Sequence, residues 1–232
     1  MSVRLIFSLL DSVTPAVLLL LLAVRYRTRP FPFCVLDRLL VVYLSVQLVF
    51  NGIGIWLSWV YNYNMYIYHM NCFVTQVIFT LYFLQLLRDG VARQIVWITS
   101  LFFIAFFFFS LFILQPFEKF NSYNHALGAF FLVLYSLLAF HKWMQVLPAA
   151  NILALKEFWG AAGVLFYFGS AFSIFISYEY LIQVTYKTVI TVWLLHNFFM
   201  ALGCVIFTKA ILSKEWIRES SSSSVERSSP LL

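Results

Sequence analysis

Seven runs of about twenty mostly apolar residues, 3–24, 38–59, 67–87, 94–114, 126–146, 158–178 and 188–209, dominate the chain. A helix rises about 1.5 Å per residue and the hydrocarbon core of a bilayer is about 30 Å thick, so each run can cross it as a helix. Only short polar connectors separate the runs, such as RYRTRPFPF after the first and RDGVAR after the third. With 63% hydrophobic and 10% charged residues, against about 25% charged in soluble domains, a soluble fold, a disordered chain and a disulfide scaffold are all excluded. The expected fold class is all-α: a polytopic membrane protein, a seven-transmembrane-helix bundle over 1–212. The Ser-rich tail 213–232 is too polar to build a core and is expected to be disordered. The first run carries Asp11 and Pro15 and has no small-residue cleavage site before Arg25, so it reads as a retained span and not as a signal peptide.

Orientation follows from the basic residues. Twelve of the fifteen Lys and Arg, among them Arg25, Arg27, Arg88 and Lys142, fall on one side; Arg4, Lys119 and Lys187 fall on the other. The positive-inside rule then puts the N-terminus outside and the C-terminus in the cytoplasm. The same rule accounts for the net charge of +6, and no basic stripe tracks phosphates, so the expected partner is the lipid bilayer and not nucleic acid. Cys34, Cys72 and Cys204 form no CxxC or Cys/His spacing, which predicts small buried apolar residues, with no disulfide, metal or cofactor.

Within the runs, Phe102, Phe103 and Phe106 to Phe109 make span four apolar almost all round, which predicts that it faces lipid over much of its surface. On span six, Gly169, Ser173 and Ser177 recur every four residues and form a small-residue stripe, for packing inside the bundle or for a homodimer face.

Polar residues gather at one depth. Asp11 on span one, Asn51 on span two, Thr75 and Gln76 on span three, and His196 and Asn197 on span seven each lie about eight residues from the outer boundary, roughly 12 Å deep. Helical spacing groups Tyr43, Gln47 and Asn51 on one face, and likewise His69, Cys72, Gln76 and Thr80, and Asn197, Ala201, Cys204 and Thr208. One reading is an outward-opening pocket for a small polar ligand, with Asp11 and His196 its ionisable pair. The other is interhelical hydrogen bonding, worth about 0.6 kcal/mol per contact.

Enzyme chemistry is not expected. No Lys sits near the middle of span seven for a retinal Schiff base, Gly169-Ser170 lacks the second Gly of an intramembrane serine protease, and the deep His and Asp are too few for a metal hydrolase. The segments FNSYNHALGAFFLVLYSLLAF, KEFWGAAGVLFYFGSAF and VWLLHNFFMALGCVIFTKAIL resemble small seven-span proteins of Bacteroidota and related bacteria. That resemblance implies a bacterial inner-membrane protein with a sensor histidine kinase as partner. The expected function is a sensory or signal-transducing module acting through a separate cytoplasmic partner. The alternative is a small-solute transporter or channel, disfavoured by the nearly bare inner halves of spans one, two and six.

Overall fold

The structure, a computed structural model, describes residues 3–28, 33–146, 152–184 and 186–213, with side chains except at 3–12, 146, 154, 179 and 182–190. Among these residues the chain is all-α. Its helices are α1 (Val3–Thr28), α2 (Val35–Tyr61), α3 (Met65–Leu87), α4 (Gly90–Phe109), α5 (Ser122–Val146), α6 (Lys156–Val184) and α7 (Tyr186–Leu212). α4 continues into a π-helical turn, Ser110–Leu114, and a short 3-10 helix, Ile152–Ala154, precedes α6. Six helices, α2 to α7, are long and apolar enough to cross a bilayer, and the chain is a helical, multi-pass membrane protein.

Local chemistry fixes the helix ends. Cys34 is extended at the start of α2, and its backbone N–H donates to Asp37 Oδ2 at 3.0 Å, which closes a capping box. α2 stops at Asn62, whose φ of 53° is the left-handed conformation common at helix C-termini. Asn64 Nδ2 then donates to the Gly54 carbonyl at 3.1 Å and folds the turn back on α2. Gly90, at φ +82°, makes the tight α3–α4 turn possible. Lys142 of α5 donates to the Leu87 carbonyl at the end of α3 and to Asp89 beside it.

Consecutive helices pack side by side, and α7 closes the ring on α1 while also touching α2. α3 packs against α2, α4 and α5, and is the most buried of the six apolar helices. The two ends of the bundle differ. The upper end carries the α2–α3 and α4–α5 connections, and the lower end carries the α1–α2, α3–α4 and α5–α6 connections.

α4 lies at the periphery, as its composition predicts, with Ile98, Leu101, Phe102 and Phe112 more than half exposed. Its phenylalanines are nevertheless split between two faces. Val96, Ser100, Phe103 and Phe107 form a buried stripe, and Phe107 lies 4.9 Å from the ring of Phe73 on α3. Ser100 sets this rotation: its Oγ meets Thr80 Oγ1 of α3 and Tyr135 Oη of α5, each at 3.0 Å. Hydroxyls in an apolar medium need partners, so one serine orients a helix that is otherwise apolar all round.

Close helix approach uses glycines other than the predicted stripe. A Cβ at Gly163 would come within 2.7 Å of the Phe207 ring, and one at Gly203 within 2.9 Å of Tyr167 Cβ, so these two residues bring α6 and α7 together. Gly169 is half-buried with Val133 as its nearest neighbour at 3.9 Å, and Ser173 is exposed, so the stripe leaves one flank of α6 open. We expect Gly203→Ala to destabilise the protein by about 1–3 kcal/mol, because Tyr167 Cβ is fixed to backbone and cannot swing away. Gly169→Ala should be close to neutral. Thermal unfolding in detergent checks this; equal melting temperatures for the two variants would contradict it.

Candidate ligand cavity

Three polar residues of α2 and α3 form one closed hydrogen-bonded unit. Gln47 Nε2 donates to Asn71 Oδ1 at 3.0 Å and to Thr75 Oγ1 at 3.1 Å. Asn71 Nδ2 donates back to Gln47 Oε1 at 3.1 Å, and Thr75 Oγ1 donates to Asn71 Oδ1 at 3.1 Å. Polar groups inside an apolar bundle need partners, and each here satisfies another. The exchange leaves one Asn71 N–H and one Gln47 Oε1 lone pair available.

This unit forms one wall of a cavity of about 50 Å³ in the upper half of the bundle. A water needs roughly 10–15 Å³ of such space, so the cavity holds about three to five water-sized groups. Tyr43 and Asn51 line it from α2, and Tyr68 from α3. Tyr167, Phe168 and Phe175 line it from α6, and Trp193, His196 and Met200 from α7. Phe120, from the α4–α5 connection, and His125 of α5 complete the upper part. Phe120 is held there by crossed rings, with Tyr178 at 4.3 Å and Tyr68 and Trp193 each at 5.7 Å. The connection itself is pinned by His69, whose Nε2 lies 3.0 Å from the Lys119 carbonyl. Gln115 also anchors it, donating to Ser122 Oγ and accepting from the Tyr123 backbone N–H.

Buried groups on the wall lack partners. His196 is 8% exposed; its Nε2 lies 3.4 Å from Tyr167 Oη, and its Nδ1 meets no hydrogen-bonding group. The fully buried Tyr43 Oη and the buried Nε2 of His125 are likewise unpartnered, while His125 bonds the Tyr68 backbone through its other nitrogen. Among the described residues, no Lys, Arg, Asp or Glu lines the cavity.

Below the cavity the bundle is filled. Tyr43, Phe79, Phe168 and Phe207 pack ring to ring, with Tyr43–Phe79 at 4.7 Å and Phe79–Phe168 at 5.3 Å, and all are buried. Under this floor stands a buried ion pair. Lys156 Nζ, at the start of α6, lies 2.8 and 3.1 Å from the two carboxylate oxygens of Asp37 at the start of α2. Cys34 Sγ lies 3.9 Å from the same nitrogen. Burial pushes the Cys34 thiol up to about 11 from 9.0, and Lys156 does not offset it. We expect Cys34 to react with maleimide at pH 8 roughly 100-fold more slowly than an ordinary thiol; a rate within tenfold of a free cysteine would contradict this.

Of the six residues that the sequence places in a pocket, Asn51, Thr75 and His196 line the cavity. Gln76 is buried on the other side of α3: a Cβ at Gly128 of α5 would meet its Oε1 at 3.1 Å. With His69, Cys72 and Thr80 it makes a polar face toward α4 and α5, where Asn121 lies against Cys72. Asn197 is buried beside the cavity without lining it. Asp11 belongs to α1, which packs against α7, but its side chain lies outside the described residues.

Sequence reasoning missed Gln47–Asn71 pairing, His125, and the Asp37–Lys156 pair. The Cys34-to-Asp37 capping spacing, with Asp37 between Leu36 and Arg38, was the available signal for the last. Among the described residues no group of three His, Cys, Asp or Glu side chains is arranged to hold a metal. The chain matches no protein-family model, no curated protein and no solved structure.

Removing one partner of a buried pair leaves an uncompensated charge. We therefore expect Asp37→Asn or Lys156→Met to cost about 3–5 kcal/mol, and the double variant Asp37→Leu/Lys156→Met to recover most of that loss. A double-mutant cycle of detergent melts measures this; additive losses would contradict it.

Proposed function

We propose that the protein is a sensory module of a bacterial inner membrane, with seven spans, the upper end outside and the C-terminus in the cytoplasm. A small ligand enters the cavity from outside, and the response passes to a separate cytoplasmic partner, a histidine kinase being the partner that the resemblance implies. One observation carries the reading: a cavity walled by unpartnered buried polar groups lies above a closed aromatic floor and a buried ion pair. A ligand site that opens to one side only suits detection more than passage. A ligand shifts a conformational equilibrium only through its different affinity for two states. α2 and α6 offer such a difference, because both line the cavity and the ion pair joins them below it.

Replacement of the native gene by a Gln47→Leu variant, made at normal levels, tests the reading in the source cells. The variant should change the same set of transcripts as a deletion. Loss of uptake of an external solute without a transcriptional response would overturn the reading and favour a transporter.

A further inference from the structure

We infer that the cavity takes a small organic ammonium ion, a protonated primary amine of about two to four heavy atoms. The inference rests on the reading of the cavity as a ligand site and adds the chemical class.

Three features of the wall select this class. The first is charge: among the described residues no Lys or Arg lines the cavity, so an anion would lose its hydration and meet no cation, whereas a cation meets ring faces and open acceptors in place of a carboxylate. The second is the aromatic content. Tyr68, Phe120 and Trp193 pack edge to face at 65°, 77° and 86°, and all three line the upper cavity. Ring quadrupoles attract cations and repel anions, and Trp does so most strongly.

The third is the hydrogen-bonding capacity left open. His125 bonds the Tyr68 backbone through one ring nitrogen, and since a carbonyl can only accept, that nitrogen carries the proton. Its buried Nε2 is therefore an acceptor without a donor. Gln47 Oε1 has one lone pair unused after its bond from Asn71, and the unpartnered Tyr43 Oη can also accept. A primary ammonium brings three N–H donors for these acceptors, while the spare Asn71 N–H, the Tyr43 O–H and His196 Nδ1 stay open to polar groups beside it. A neutral alcohol of the same size would satisfy part of this set and gain little from the rings. The 50 Å³ of space sets the size limit.

Isothermal titration of the purified full chain in detergent tests the assignment with ethylammonium, ethanol and acetate at matched ionic strength. Ethylammonium should bind saturably, and the other two should not. Trp193→Leu should weaken the ammonium about tenfold. If that variant does not fold, His125→Phe, which keeps a ring and removes the acceptor, should show a comparable loss. Equal binding of ethanol or acetate, or ethylammonium heat that neither saturates nor responds to the variants, would overturn the ammonium class.

Modification of His196 by diethyl pyrocarbonate, mapped by mass spectrometry on the same preparation, separates the two claims. A modified His196 without amine binding removes the ligand class and leaves the ligand cavity standing. An unmodified His196 that ethylammonium also fails to affect removes both.

Discussion

A polar side chain inside hydrocarbon must find its partner within the protein, and α3 carries His69, Asn71, Thr75, Gln76 and Thr80 through its middle. A helix polar on more than one face cannot lie at the edge of a bundle. α3 therefore sits innermost, against α2, α4 and α5, and the other helices are arranged by what its two polar faces require. One face meets Gln47 and builds the wall of the cavity. The other meets Ser100 and, through it, Tyr135, which fixes the rotation of the peripheral α4. The exterior needs no comparable specification, and residues such as Leu20, Trp59 and Phe112 are left open for lipid.

The axis of the bundle is layered as a consequence. The cavity occupies the upper half, crossed aromatic rings fill the middle, and the Asp37–Lys156 pair closes the lower end. A buried ion pair is a poor source of net stability, because desolvation consumes most of its Coulombic gain. Its placement between α2 and α6, which are not neighbours in the ring, makes it a cross-bundle tie. Any movement of α6 against α2 must stretch or reorient that tie.

The helical class and the apolar helices were legible in the sequence, because hydrophobic length and 3.6-residue spacing are local properties. The direction of the faces was less so. On α3 the spacing His69, Cys72, Gln76 and Thr80 is a true helix face, and so is Tyr68, Asn71 and Thr75 one residue over. The sequence holds both, and only packing decides which one meets α2. On α7 the cavity takes Trp193, His196 and Met200, and Asn197 turns aside by one position, or about 100°. The Asp37–Lys156 pair joins residues 119 positions apart, and no local pattern links them. Gly203 and Gly163 bring α6 and α7 together where the evenly spaced stripe at Gly169 does not, because small size permits close approach only where a neighbour is present to use it.

The central claim is that the cavity communicates with one side of the membrane only. A single cysteine at Thr75, in a chain with Cys34, Cys72 and Cys204 replaced, can be challenged with a charged thiol reagent from either face in oriented vesicles. The proposed reading requires labelling from the upper side and none from the lower side. Labelling at comparable rates from both sides would show that the aromatic floor and the ion pair open together with the cavity, and would contradict the account.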